Sequence, residues 1–170
     1  MIAEADVWNH FVRLLPDAEG REVQVRWDIG EQEAGLDLLV CGLLEHQVAI
    51  SETTRVEISV IAESWGVRRD IASRLLACQG DGLPSPVEIV EHPTTTPLPY
   101  PDLADLLVIP WIRHTSGRLL ARAHVEEPWG DLSLIPAHYA VLASEQGPTL
   151  RLLESFSARE ALEALHATHL

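Results

Sequence analysis

The chain has 170 residues, 46% of them apolar, and a formal net charge of −14. It is long enough to bury a sheet and its helices in one domain, and too apolar to be a disordered polypeptide. All 12 basic residues are arginine, which excludes a P-loop lysine, a kinase ATP-binding lysine, a pyridoxal Schiff base and any lysine-dependent nuclease centre.

No apolar run approaches the roughly 18 residues needed to span a bilayer, so no membrane association is expected. The acidic opening, Met1 to Asp6, lacks the basic-then-apolar layout of a signal peptide. Two cysteines, Cys41 and Cys78, are too few for a disulfide framework. A reducing, cytoplasmic setting is therefore expected. The charge argues against binding nucleic acid, because counterion release needs cationic contacts. It permits a basic protein partner, against the plainer reading of solubility alone.

Residues 3 to 15 place Val7, Trp8, Phe11, Val12, Leu14 and Leu15 on one broad helical face, ending near Pro16 and Gly20. In "EVQVRWDI" (22–29), Val23, Val25 and Trp27 alternate with polar residues, the period of a half-buried strand. An acidic turn, "GEQEAG" (30–35), leads to the apolar run Leu36 to Leu43, which reads as a strand covered on both faces. Val56, Ile58 and Val60 suggest another strand. Ser64 suits a helix N-cap, with Val67, Ile71, Leu75 and Cys78 following at helical spacing and Gly80 as a stop.

The proline-rich stretch from Pro84 to Pro101 predicts extended, irregular backbone. Strands are expected at Val87 to Val90, Leu103 to Ile109 (stopped by Pro110), 118–125 and 132–135. A helix is expected from Pro136 to Gln146, where proline suits the first turn. A last helix is expected after Ser157, whose spacing from Glu160 is that of a capping box. The fold class expected is α/β (α+β): a single domain over 1–170, with a mixed central β-sheet flanked by helices and helices at both chain ends.

The residues supply no catalytic motif, and no cofactor is expected. His166 and His169 lie three apart at a chain end, without H-E-x-x-H or paired-cysteine spacing, so no metal site is expected. Cys41 and Cys78 both read as small core residues rather than nucleophiles. No serine stands in a G-x-S-x-G elbow. Paired acids such as Glu31 with Glu33, or Glu126 with Glu127, have no evident acid–base partner. Of the five tryptophans, Trp8 and Trp27 belong to amphipathic elements. Trp65, Trp111 and Trp129 flank loops, where an aromatic either covers the core or anchors an interface.

The stretch "LLVCGLLEHQVAISETTRVEISVIAE" (38–63) resembles the signature region of bacterial Suppressor of fused-like domains. In that family a strand ending in threonine, then glycine, an apolar residue and serine, leads through a short loop to an arginine–x–glutamate strand. Gly42 and Leu43 fall at the glycine and apolar positions, and Arg55 and Glu57 match the second strand. "LADLLVIPW" (103–111) looks like the family's later apolar strand ending in proline. "LSLIPAHYAVLASEQGPTLRLLESF" (132–156) resembles a strand, an apolar-proline step at Pro136, a helix, a glycine and a leucine-rich helix. Val40 and Leu44 depart from the usual threonine and serine, and Ala140 falls near a position usually held by glutamate.

The resemblance implies that Gly42 permits a backbone turn. It also implies that Arg55 and Glu57 are structural, pairing on the polar side of a strand or bonding to the loop after Gly42. It implies protein binding rather than catalysis: a cytoplasmic immunity protein, a monomer or small oligomer, that occludes a toxin domain. An acidic surface would suit a basic toxin. The candidate surfaces are Glu31, Glu33, Asp37 and Glu45, and Glu126, Glu127 and Asp131 around Trp129. "RVEISVIAE" (55–63) with a following helix also resembles tail-terminator proteins of tailed phages, which form rings. An enzyme whose site only folding assembles is the third alternative.

Overall fold

A computed structural model describes residues 4–97, 105–145 and 147–167. The chain is a mixed α/β fold with helices at both ends, divided into two compact units, Met1–Pro84 and Ser85–Leu170.

The first unit is helical: α1 (Glu4–Val12), α2 (Asp17–Asp28), α3 (Gln32–Glu45), α4 (Glu52–Ser64) and α5 (Arg68–Ala77). α1 and α5 match the amphipathic patterns that announce them. Three segments expected as strands are helices. In 22–29, Val23 and Trp27 are four apart and turn inward together, while Val25 is 53% exposed; the alternation was that of a helix whose outer face happens to carry a valine. The run 36–43 buries Leu36, Leu39, Val40 and Leu43 and exposes Asp37 and Cys41, a helical rather than a two-sided strand pattern. In α4, Ser51 supplies the start, its Oγ accepting from Thr54 N at 3.0 Å. Ser64 is not a cap: it ends α4 and its Oγ donates to Val60 O.

Backbone geometry stops these helices. Gly30 and Gly66 have φ of +80° and +75°. The amides of Glu31 and Val67, each one residue further on, reach back to Arg26 O and Ala62 O, the glycine-terminated arrangement that satisfies the last carbonyls. In the core of this unit Trp8 is fully buried. It stacks on Trp27 at 4.8 Å between ring centroids, with Trp65 5.7 Å from Trp8 and 5.8 Å from Trp27. The loop-flanking Trp65 is thus a packing residue.

The second unit is an antiparallel sheet with one helix. Its strands are β1 (Val87–Ile89), β2 (Thr96–Pro97), β3 (Leu106–His114), β4 (Leu119–Val125), β5 (His138–Leu142) and β6 (Thr149–Glu154), followed by α6 (Ala158–His166). The order is β1-β3-β4-β5-β6, with β2 also pairing β3. β3 does not stop at Pro110 but bulges between Pro110 and Ile112 and continues. The expected starting residue Leu103 lies outside the described residues. Residues 132–135 form no strand; Leu132 makes an isolated bridge to Glu126.

The helix expected at 136–146 is instead β5, and its expected last residue, Gln146, lies outside the described residues. Tyr139 to Leu142 are all buried between β4 and β6, so burial on both faces erases the alternation that marks a strand. The leucine-rich 149–154 is likewise a strand. α6 packs against β4, β5 and β6 and buries Ala158, Ala161, Ala164 and Leu165. Ser157 holds the N-cap position but makes no side-chain cap bond; its Oγ donates to Glu154 O.

Candidate functional site

β4 and β5 are joined by a connection that projects from one end of the sheet. Glu127 N donates to Asp131 O at 2.7 Å and Gly130 N to Glu127 O at 2.8 Å, with Gly130 at φ +90°. Glu127-Pro128-Trp129-Gly130 is therefore a tight turn in which proline presets the second position and glycine takes the left-handed one. The turn holds Trp129 at its tip, 72% exposed, with Glu126 and Asp131 also exposed and Glu127 half-exposed. The stem is held by Ser133 N to Val125 O at 2.9 Å, and by His124 Nδ1, 2.8 Å from Ser133 O.

Further apolar side chains are exposed at this end of the sheet. Ala123 pairs with His138 and His138 with Glu154, so the C-terminal ends of β4 and β6 lie side by side, two strand spacings (about 10 Å) apart. Beyond Glu154 stands Phe156, 74% exposed and at φ +68°. On the strand connection, Leu134 and Ile135 are exposed as well, and Ser155 Oγ donates to Pro136 O at 2.9 Å, tying the two segments together. Exposed apolar groups gathered at one place and rimmed by acids are the usual mark of a protein-binding surface. Phe156, Leu134 and Ile135 were not found in the sequence: 132–135 was expected as a strand and the stretch ending at Phe156 as a leucine-rich helix, and exposure is a tertiary property.

The other acidic group, Glu31, Glu33, Asp37 and Glu45, was expected as a turn and a strand. It sits on α3 and its N-cap, with Glu33, Asp37 and Glu45 separated by multiples of four residues along one stripe. Its charge is partly neutralised: Glu31 pairs with Arg26, and Asp37 with Arg74, whose other nitrogen is 3.1 Å from Cys41 Sγ. The Asp37 hydrogen bond raises the pKa of Arg74 further. Cys41, expected in the core, is exposed beside this pair; Cys78 is buried, and burial pushes its thiol up despite the nearby Arg55.

The four signature residues are structural in ways their expected setting did not foretell. Gly42 is inside α3, not at a turn; a Cβ there would stand 2.9 Å from Leu15 Cδ2, so its service is close packing. Arg55 is buried in α4 and binds carbonyls at the end of α5, not the loop after Gly42. Glu57 is half-buried on the same helix. Pro136 is buried just ahead of β5, where its carbonyl accepts from Ser155.

Among the described residues no group of three or more His, Cys, Asp or Glu could hold a metal ion, and His169 lies outside them. Ser85 and His114 share a cleft of about 110 Å³. Ser85 Oγ donates to Val87 O at 2.7 Å, and His114 Nδ1 lies 2.8 Å from Ser116 Oγ, so each is engaged in its own turn. A larger groove of about 430 Å³ beside α1 and α2 is lined by residues including Arg13, Asp17, Arg21 and Gln24, with no serine, histidine or cysteine. Among the described residues no helix is long and apolar enough to cross a membrane.

The His114 and His166 rings meet edge-on at 5.6 Å, joining β3 to the end of α6. Burial lowers the pKa of both; Arg118 lowers His114 further, and His114 and Arg118 lower His166 further. The unfolded chain therefore takes up protons first, and stability is lost as pH falls through the ordinary histidine value of about 6.5. Thermal melts are expected to show Tm falling from pH 7.5 to pH 5.5, with a shallower decline in His166→Gln. An unchanged slope in the variant would remove this pair as the cause.

No protein-family model matches the chain, and no curated protein or solved structure matches it either.

Proposed function

We propose that the protein is a non-catalytic binding module that attaches to a basic protein and occludes it, in the manner of a cytoplasmic immunity protein and its toxin. The observation that carries this reading is Trp129, held 72% exposed at the tip of a hydrogen-bonded tight turn among Glu126, Glu127 and Asp131. Exposing an indole has a solvation cost with no return in the free protein, whereas tryptophan is the residue most enriched at the energetic centres of interfaces. Acids around an aromatic anchor favour a cationic partner and speed its approach.

This surface is preferred to the stripe on α3 because that stripe has no exposed aromatic and two of its acids are already paired with arginines. Residues 36–63 and 132–156 fold as helices and strands other than those the Suppressor of fused-like resemblance implies. Common descent with that family is proposed on sequence pattern alone, and the binding function does not depend on it.

Reversing Glu126, Glu127 and Asp131 to arginine is expected to slow association with the captured partner by at least about tenfold at low salt and to flatten its salt dependence. Reversing Glu33, Asp37 and Glu45 is expected to do much less. Binding unchanged by both sets would refute the acidic-surface reading. Light scattering is expected to give a monomer or small oligomer; a ring-sized particle would favour the phage tail-terminator alternative.

A further inference from the structure

We infer that the outer edge of β6 receives an extended segment of the partner as an added strand, one whose side chains on a single face pass from apolar beside Leu152 to basic beside Glu154. This rests on the protein-binding reading and names the element and the chemistry that would perform it.

β6 ends the sheet order: β5 pairs with its inner side, and among the described residues no strand pairs with its outer side. Natural edge strands are protected by charged side chains, proline, β-bulges, brevity or a covering element. β6 contains no proline, and its only charges, Arg151 and Glu154, stand on opposite faces. Its irregularity lies only at its start, where the ladder shifts between Val141 and Leu142, leaving Arg151 to Glu154 in regular register. Leu150 and Leu152 are exposed on it, and Phe156 lies just past its end. Such an edge offers backbone hydrogen bonds for affinity and alternate side chains for selection.

The register defines the complement. Leu152 and Glu154 lie opposite Ala140 and His138 on one face, and Arg151 and Leu153 lie opposite Val141 and Tyr139 on the other. A segment fitting the first face carries an apolar residue beside Leu152 and a cation beside Glu154. The Glu154 end is also where the Glu126, Glu127 and Asp131 hairpin emerges, so basic residues are favoured towards that end.

A second copy fits poorly. Arg151 and Glu154 point to opposite faces, so no two-fold antiparallel register can set one against the other. Centring on Leu152 puts Glu154 against Leu150, and centring on Arg151 puts two arginines together. Each copy also brings a charge of −14.

The test is a titration of the full ¹⁵N-labelled chain with an eight-residue threonine peptide in which every second residue is replaced, by arginine in the N-terminal half and by valine in the C-terminal half, the order an antiparallel strand needs. The controls are the same peptide with a central proline and the same peptide with glutamate in place of arginine. The basic peptide is expected to shift the amides of 149–154 saturably. Both controls are expected to bind at least tenfold more weakly, as is the basic peptide to Leu152→Lys. Silent β6 amides, or equal binding of the proline-interrupted peptide, would overturn the inference; so would β6 shifts that follow protein concentration alone, which would give the edge to a second copy. The proline control needs no variant and holds if Leu152→Lys fails to fold. A partner protein bound through Trp129 with β6 silent would leave the binding function standing and remove only the strand addition.

Discussion

Arg55→Ala is expected to lower the stability of the helical unit by about 2–4 kcal/mol, because the guanidinium is a buried tie between two helices. Arg55 is 4% exposed. Its Nη1 donates to Leu75 O, its Nη2 to Cys78 O at 3.0 Å, and its Nε to Glu52 Oε1 at 3.0 Å. The two carbonyls lie in the last turn of α5 and at its C-cap, where, apart from Arg55, Leu75 O accepts only a 3.3 Å bond from Cys78 N and where a positive charge is favoured. Alanine leaves both carbonyls without this donor and opens a void between α4 and α5. Lysine keeps the charge but cannot reach two carbonyls and a carboxylate together, so it should recover only part of the loss. Glu52→Gln should cost under about 1 kcal/mol, since the Glu52 side chain is 36% exposed and the amide oxygen still accepts from Arg55. Urea denaturation followed by far-UV circular dichroism measures all three. An alanine variant as stable as the parent would show that Arg55 does not tie the helices.

Trp8→Ala should cost about 3–5 kcal/mol, a large share of the stability of an ordinary domain. Trp8 is fully buried against Trp27, Trp65 and Phe11, and a Cβ at Gly35 would stand 3.1 Å from its ring, so no slack exists to refill the cavity. Its Nε1 is buried without a hydrogen-bond partner among the described residues. Trp8→Phe removes that unsatisfied donor while keeping most of the aromatic contact, and should therefore cost under about 1.5 kcal/mol. Near-equal losses for alanine and phenylalanine would mean that ring volume is not what Trp8 contributes.

The same two residues show what was legible in the sequence. Trp8 lies on an amphipathic pattern with one periodicity and was placed in a helix and in the core. Arg55 was judged structural, but its partners sit 20 and 23 residues further on at a helix end that no local pattern reveals. The continuous run from Leu36 to Leu43 fits both a buried strand and a buried helix. Its helical identity depends on exposing Asp37 and Cys41 while Gly42 packs against Leu15, which is tertiary information. The segment 136–146 erred the other way, because a permissive first-turn proline and several alanines look helical until Tyr139 to Leu142 are seen buried between two strands. At the candidate site, Trp129 and its acids were legible as a group. Whether the indole would cover a core, as Trp65 and Trp111 do, or face solvent was not.

The most direct test of the protein-binding function is quantitative affinity capture from the native host with the parent and Trp129→Ala side by side. Because Trp129 is exposed, the variant should unfold within about 0.5 kcal/mol of the parent, so any difference in capture reports binding. Losing an interface anchor of this kind costs at least about 2 kcal/mol. The result expected is one basic protein enriched by the parent and reduced at least about tenfold with the variant. Equal recovery by both, or no basic protein on the parent, would contradict the function proposed for this surface.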